Sequence, residues 1–167
     1  MLSGTFLPDI FLLDNQHGKN HQFGFHVISP LLLSDNAVVL VDRGWVSSEQ
    51  NRQKLPTIQT PMHALNLQGI TWYPHLLPWS LGPLYEEKGI GLTIVEHVDT
   101  EMIGGLLQKK LYPFIMRLHK TEKYGFEREW VLVSMSPERH QAYAVQWFAM
   151  AVVLVFIYAG LNFRKKA

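Results

Sequence analysis

The chain has 167 residues, of which 47% are hydrophobic and 17% charged, and its formal net charge is +1 at pH 7. This length is sufficient for one globular domain with a hydrophobic core and one appendage, but not for two full domains. The scattered lysines and arginines provide no basic face for a phosphate backbone, so nucleic acid is not an expected partner. Cysteine is absent, which excludes disulfides, thiolate metal sites and covalent attachment of c-type haem.

Short segments rich in aliphatic, β-branched and aromatic residues alternate with turn residues along the chain, a pattern typical of an antiparallel sheet. A polar turn at residues 15–20 contains a glycine, so the strands on either side of it are expected to form a hairpin. The predicted fold is mainly β (α+β), an antiparallel sheet or partly open barrel with one or two short helices. We predict strands at residues 5–13, 22–28, 37–42, 64–73, 91–97, 114–119 and 129–135.

Two short helical segments are predicted within this β-rich region. A serine can cap a turn at residues 48–53, and Asp99 or Thr100 can cap a helix at residues 100–108. Residues 73–88 contain several prolines and a Gly-Pro pair, and we therefore predict an irregular loop there.

The C-terminal segment has the composition of a membrane helix. Residues 147–161 contain no charged residue, and residues 152–157 are all aliphatic or aromatic. A helix over residues 142–162 matches a hydrocarbon core of about 30 Å. A buried core helix is the alternative, but a helix that is apolar on every side needs a larger protein around it. We therefore predict a transmembrane helix within residues 140–163.

The charges that flank this segment predict its orientation. Three basic residues follow it at 164–166, whereas Arg139 before it is balanced by Glu138. By the positive-inside rule, the tail at residues 164–167 lies in the cytoplasm, and the β-rich domain at residues 1–139 is extracytoplasmic. The N-terminus has neither a basic region nor a long apolar run, so no export signal is recognised.

The sequence contains none of the standard catalytic signatures: no Gly-x-Ser-x-Gly elbow, no His-Glu-x-x-His zinc helix, no phosphate-binding loop and no dinucleotide fingerprint. Glu86 with Glu87, and Glu127 with Glu129, could pair for acid–base chemistry. Both pairs lie in polar segments that we expect to be solvated. An enzyme is therefore not predicted.

Three histidines, His17, His21 and His26, cluster closely enough to suggest a metal site. If residue 22 begins a strand, however, His21 and His26 point to opposite faces of it. A plain hairpin turn is the preferred interpretation. The other histidines of the β-rich region are isolated in sequence, and their spacing singles out none of them: His63, His75, His97 and His119.

His140 differs from these because it lies where the β-rich domain meets the bilayer. In a helix, steps of three and seven residues place His140, Tyr143 and Trp147 on one face. A neutral imidazole beside aromatic rings at the membrane surface is suited to ligate the iron of a noncovalent haem. The alternative is an interfacial anchor, because tyrosine and tryptophan are enriched at that depth. Spacing alone leaves both interpretations open.

Four stretches carry a resemblance to a known family. They are Phe-Leu-Leu-Asp-Asn-Gln at 11–16, Gly-Phe-His-Val-Ile-Ser-Pro at 24–30, Val-Leu-Val-Asp-Arg-Gly-Trp-Val at 39–46, and Arg-His-Gln-Ala-Tyr-Ala-Val-Gln-Trp-Phe at 139–148. In this order and spacing they resemble the surfeit locus protein 1 family, the assembly factors of cytochrome c oxidase. The match is loose over residues 73–110.

The resemblance implies a non-enzymatic factor that assists insertion of haem a into the catalytic subunit of a haem–copper oxidase. It implies a bacterial inner-membrane location with a periplasmic domain, in agreement with the charge pattern. The implied partners are the membrane and the catalytic subunit of cytochrome c oxidase, with the haem-synthesis machinery as a further candidate. It also implies that His140 binds noncovalent haem a. The alternative function is a membrane-anchored scaffold that binds oxidase subunits or intermediates without binding haem.

Arg43, Gly44 and Trp45, together with Asn15, form the structural motif of this resemblance. Glycine beside a large indole in a strand commonly marks a bulge or a close backbone approach, so we interpret Gly44 and Trp45 as structural. Arg43 is a candidate partner for a haem propionate if it faces the bilayer end of the domain. Family members begin with another membrane helix, which this sequence lacks, so we expect a truncation or a start assigned at an internal methionine.

Overall fold

The computed structural model describes residues 1–17, 22–48, 55–74, 84–130 and 137–163. Within these ranges the chain forms nine strands and two helices. The elements are β1 Leu2–Phe6, β2 Ile10–His17, β3 Phe23–Leu33, β4 Val38–Ser47, β5 Leu65–Leu67, β6 Gly69–Trp72, β7 Tyr85–Gly89, β8 Leu92–Val95, α1 Thr100–Leu107, β9 Leu111–Leu118 and α2 Pro137–Asn162.

The chain divides into two compact units, Met1–Glu129 and Trp130–Ala167. The first unit contains every described strand and α1, so it is the β-rich unit. The second contains α2.

The strands form a mixed sheet in the order β6-β9-β4-β3-β2-β8-β7. The long strand β3 pairs with β2 along its first half and with β1 along its second half. β1 also pairs with β5, and β6, which follows β5 after Gln68, pairs with β9. The prediction of a mainly β fold is confirmed, and the sheet is mixed and open.

Two of the pairings are parallel, β2 with β8 and β4 with β9. The sequence analysis predicted an antiparallel sheet, so these two parallel pairings differ from the prediction. Parallel partners require a long crossover connection, and both pairs join strands that are far apart in sequence. Local residue patterns carry no information about the direction of such a distant partner.

The predicted hairpin is confirmed by the antiparallel pairing of β2 with β3. Asn15 lies within β2, not in the turn, because this strand continues to His17. A register shift between Leu13 and Gln16 marks an irregularity at that point. The turn itself, residues 18–21, lies outside the described residues and includes His21.

Two predicted strands are each divided in the structure. The segment at residues 5–13 ends as β1 at Phe6 and begins again as β2 at Ile10, because Pro8 has no backbone N–H to donate. The segment at residues 64–73 forms β5 and β6 on either side of Gln68, whose carbonyl accepts the backbone N–H of His119 at 2.8 Å.

The prediction of an irregular loop over residues 73–88 is wrong at its C-terminal end, where β7 pairs with β8. The charged sequence of β7 resembles a solvated loop, and only its tertiary pairing makes it a strand. Residues 75–83, which include His75, lie outside the described part. So do most of the predicted helical turn at 48–53 and most of the predicted strand at 129–135, of which Glu129 and Trp130 are not in a strand.

Apolar side chains lie on both faces of the sheet because successive residues of a strand alternate. Val39 and Val41 of β4 belong to one cluster, with Phe6 of β1, whereas Leu40 belongs to the cluster on the opposite face. Helix α1 covers that second cluster through Ile103, which is fully buried. The predicted α1 is confirmed with Asp99 as its cap: the Asp99 carboxylate accepts the backbone N–H groups of Glu101 at 2.8 Å and Met102 at 3.1 Å.

The turn between β3 and β4 is tied to β9 through Asp35. Its carboxylate accepts the backbone N–H of Ala37 at 3.0 Å and the hydroxyl of Tyr112 at 2.9 Å. These two hydrogen bonds lower the pKa of Asp35 from its ordinary value of 3.8, and the same carboxylate raises the pKa of Tyr112. The turn is therefore held most firmly when Asp35 is ionised.

We expect the stabilisation from Asp35 to be present above pH 3.8 and to be lost as the pH falls through its lower folded-state pKa. Replacing Tyr112 by Phe removes one donor to the carboxylate, so the pKa of Asp35 should move back towards its ordinary value. An NMR pH titration of the Asp35 side-chain carbon in the wild type and in Tyr112→Phe measures this shift. Identical titration curves would contradict the assignment.

Candidate functional site

Helix α2 is long and apolar enough to cross a membrane, and within the described residues it is the one helix with that property. It contains 26 residues, which extend about 39 Å at 1.5 Å each. Pro137 suits the first helical position because its missing N–H would have no acceptor there, and Glu138 complements the positive end of the helix dipole. None of its side chains is buried by the protein.

The predicted residues His140, Tyr143 and Trp147 all lie in this continuous helix. Their spacing brings them onto one face. His140 is exposed, and the exposed fractions of Tyr143 and Trp147 are 51% and 69%. The face therefore presents an imidazole and two aromatic rings to whatever surrounds the helix.

The Arg43 side chain, in contrast, is 2% exposed inside the β-rich unit. Its Nε donates to the carbonyl of Tyr124 at 2.8 Å, and its Nη2 donates to the carbonyl of Gln59 at 2.9 Å. Nη1 donates to the hydroxyls of Ser29 at 3.3 Å and Thr60 at 3.2 Å. One side chain thus joins β4 to β3 and to two segments that are remote in sequence.

Two aromatic rings flank the same guanidinium. Its Cζ lies 5.3 Å from the ring centroid of Phe6 and 4.9 Å from that of Phe126. In the described part of the chain, every recorded partner of Arg43 is neutral, and burial lowers its pKa to about 10. Arg43 therefore remains charged at neutral pH, stabilised by carbonyl and hydroxyl dipoles and by π faces. These contacts support a structural role, and its role as a propionate partner remains a prediction.

Gly44 allows the chain to pass close to the segment that follows β9. Its φ is +108°, a conformation that side chains other than glycine rarely adopt. A Cβ at this position would lie 2.6 Å from the carbonyl oxygen of Glu127 and 2.6 Å from Cγ of Arg128. The glycine is required both by its backbone conformation and by its neighbours.

The backbone of Trp45 also contacts the segment after β9. Its N–H donates to the carbonyl of Glu127 at 2.7 Å, and its carbonyl accepts the N–H of Glu127 at 3.1 Å. Its indole packs against Gly24, where a Cβ would lie 2.5 Å from ring atom Cε2. Within the described residues its buried Nε1 has no hydrogen-bond partner. The tryptophan is 8% exposed and acts as a packing residue.

Arg128 was not predicted as an important residue, yet it organises the segment that meets Gly44. Its guanidinium donates to the backbone carbonyls of His119, Lys120, Glu122 and Phe126. Burial lowers its pKa, and the charge of Glu122 offsets part of that effect. Its partners all lie within nine residues on its N-terminal side, but no sequence pattern specifies which carbonyls a guanidinium will bind.

A second polar contact that the sequence did not reveal joins His26 to Asp42. The imidazole Nδ1 lies 3.0 Å from each carboxylate oxygen of Asp42, which also accepts the backbone N–H of Gly44 at 3.0 Å. Asp42 pairs in register with Arg117, whose guanidinium lies 4.3 Å from the ring centroid of Trp72. Burial lowers the pKa of Arg117, and Asp42 opposes that shift.

No group of three or more histidine, aspartate or glutamate side chains suited to a metal ion occurs among the described residues. The imidazole of His26 is engaged with Asp42. His21 and the side chains of His17 and Asn15 lie outside the described part. The described geometry thus brings together His140, Tyr143 and Trp147 on α2, and separately Arg43, Gly44 and Trp45 in the β-rich unit.

The residues that the structure describes define a β-rich unit followed along the chain by an apolar helix that is capable of anchoring it in a membrane. The model of the SURF1 family matches residues 1–152. The chain belongs to the SURF1 family, which comprises cytochrome oxidase assembly factors. The resemblance inferred from the four sequence stretches is therefore confirmed.

Two curated relatives support this assignment. They are SURF1-like proteins of Rickettsia felis and Rickettsia bellii, each 26% identical over 94% of this chain. The chain spans 70% of the first relative and 65% of the second. Family membership places the chain in the context of oxidase assembly and membrane association.

Replacing Gly44 by Ala should lower the free energy of unfolding by about 2 to 5 kcal/mol, because it adds backbone strain and a clash with the Glu127 carbonyl. Gly105→Ala is the matched control, since nothing lies within 4 Å of a Cβ there. In a helix that substitution should be neutral or stabilising by up to about 1 kcal/mol. Urea denaturation of the detergent-solubilised chain, followed by tryptophan fluorescence, measures both. Equal stability of the two variants would contradict the role assigned to Gly44.

Proposed function

We propose that this chain is a non-enzymatic assembly factor that holds haem a noncovalently at His140 during its transfer to the catalytic subunit of a cytochrome oxidase. The observation that carries the proposal is the exposed face of α2 on which His140, Tyr143 and Trp147 lie together. Family membership supplies the oxidase context.

The residues on this face suit a haem. A neutral imidazole is a common protein ligand of haem iron, and the ring nitrogen of His140 would donate its lone pair to that iron. The rings of Tyr143 and Trp147 offer flat surfaces on which a macrocycle can pack. Residues 148–161 of α2 contain no charged side chain, and this apolar stretch suits a lipophilic cargo that resides at the membrane surface. His140 would hold the haem, and the two aromatic side chains would orient it.

The location that we propose is a bacterial inner membrane, with the β-rich unit in the periplasm and the C-terminus in the cytoplasm. The basic cluster at residues 164–166 supports this orientation, because positive residues are retained on the cytoplasmic side. The oxidase catalytic subunit is the proposed recipient of the haem, and the haem-synthesis machinery is the proposed donor.

A second candidate function is a scaffold that binds an oxidase subunit or intermediate without haem. The observation that favours it is the internal use of the Arg43 side chain, whose recorded contacts all lie within the β-rich unit in the described part of the chain. In that case the unit offers a rigid surface and α2 serves as an anchor alone.

The optical spectrum of the purified protein with added haem a distinguishes the two functions. We expect the wild type in detergent to shift the absorption bands of haem a, and His140→Ala to lose that shift because the axial ligand is removed. His97→Ala is the control, since it removes a histidine from the β-rich unit and should leave the spectrum unchanged.

An unchanged spectrum in His140→Ala would remove this histidine as the ligand. If oxidase subunits also co-purified with that variant and with the wild type in equal yield, the scaffold function would be favoured.

A further inference from the structure

The β-rich unit carries a groove of about 560 Å³ beside the hairpin formed by β7 and β8. Its apolar lining includes Phe11 of β2 together with Leu106 and Leu107 from the last turn of α1. A cavity of this volume is in the range of sites that accept small ligands or individual side chains. The groove is therefore large enough for one or two side chains of a bound segment.

The charge at this groove is of a single sign. Asp9 and Glu87 line it, and among the described residues that line it there is no lysine or arginine. Neither carboxylate has a recorded hydrogen bond or ion pair in the described part of the chain. Lys88, the nearest cation along β7, is paired with Glu86.

The end of α1 beside the groove also has a negative partial charge. The groove is lined by Leu106 and Leu107 at the C-terminus of α1, where the helix dipole is negative and no basic residue lies in the last turn. A second groove of about 590 Å³, also beside α1, is lined by both Glu101 and Lys109. Its charges are of both signs, so it does not favour a positively charged ligand over a negatively charged one. Charge thus distinguishes the first groove as a site for a cation.

Ile90 lies at the tip of the hairpin, next to this groove, and its side chain is fully exposed. Gly91 permits the turn with a φ of +72°. Ile90 belongs to the lining of the groove, so a segment that enters the groove would contact this side chain as well. Insertion of this tip into lipid would also desolvate the nearby carboxylates of Glu86 and Glu87, which is unfavourable, so a protein is the favoured partner.

We propose that this acidic groove binds a basic segment of a protein partner. An apolar side chain of that segment packs against Phe11, Leu106 and Ile90, and flanking lysine or arginine side chains pair with Asp9 and Glu87. Complementary charge of this kind mainly sets the association rate and the choice of partner. The proposal relies on the proposed assembly function only for the existence of a partner, and it is independent of haem binding at His140.

The test uses the full chain in its native membrane with the photoreactive residue benzoylphenylalanine at position 90 as the probe. The same probe is placed in the double variant Asp9→Asn with Glu87→Gln, and in Glu101→Gln as the control. Glu101 is an exposed carboxylate of α1 that lies outside the groove. Thermal unfolding of each variant checks that it folds.

We expect a cross-link to a protein segment of net positive charge, mapped by mass spectrometry. Its yield should fall several-fold in the double variant and with added salt, and should be unchanged in Glu101→Gln. Cross-links to lipid alone, to a second copy of this chain, or to a neutral or acidic segment would each overturn the proposal. An unchanged yield in the folded double variant would overturn it as well. The absorption spectrum with added haem a is also measured for the double variant. A normal haem shift together with an unchanged cross-link yield would overturn the groove proposal alone, whereas failure of the proposed function is detected by the His140→Ala spectrum.

Discussion

The buried guanidinium of Arg43 is the interaction on which the β-rich unit depends. Removing a charge from water costs several kcal/mol, and here no recorded carboxylate partner offsets that cost within the described residues. Two carbonyls, two hydroxyls and two aromatic rings do so instead. Loss of the arginine would remove a charge-assisted donor from each of these segments at once. The planar fork is essential, because a lysine ammonium cannot direct its N–H groups to acceptors in so many directions.

The geometry around Arg43 explains why glycine and tryptophan follow it. The carbonyl of Arg43 accepts the backbone N–H of Phe126, and the Trp45 backbone pairs with Glu127, so the segment after β9 lies directly against this part of β4. Such a close approach leaves no space for a side chain at Gly44. Arg128 then holds the same segment in a fixed conformation through its bonds to four carbonyls. The contacts of Arg43, Gly44 and Trp45 therefore connect β4 to the segment after β9 and have a structural role. Residues that bind a ligand or partner are to be expected on α2 and on the surface of the β-rich unit.

Several features could be predicted from the sequence because their determinants are local. Asp99 caps α1 through its own carboxylate, and the apolar run of α2 needs no partner to be recognised. The hairpin of β2 and β3 was likewise predictable from its polar turn. The family resemblance was recognisable from four short motifs and their order along this chain.

Other features could not be predicted because they depend on residues that are distant in sequence. The partners of Arg43 at Gln59 and Tyr124 lie far along the chain, and no local pattern connects them. The contact between His26 and Asp42 depends on the irregular register between β3 and β4. Strand β7 has the composition of a loop, and only its pairing with β8 makes it regular.

The proposed roles are separate: the contacts of Arg43, Gly44 and Trp45 would maintain the fold of the β-rich unit, and His140 would hold the haem. The most direct test measures two quantities in cells that lack their own copy of the gene: the haem a content of the assembled oxidase, and the abundance of the factor in the membrane. We predict that His140→Ala lowers the haem a content at normal abundance of the factor, and that Arg43→Met lowers the abundance itself. Full haem a content in cells with His140→Ala would contradict the claim, and so would normal abundance of Arg43→Met together with a loss of haem a.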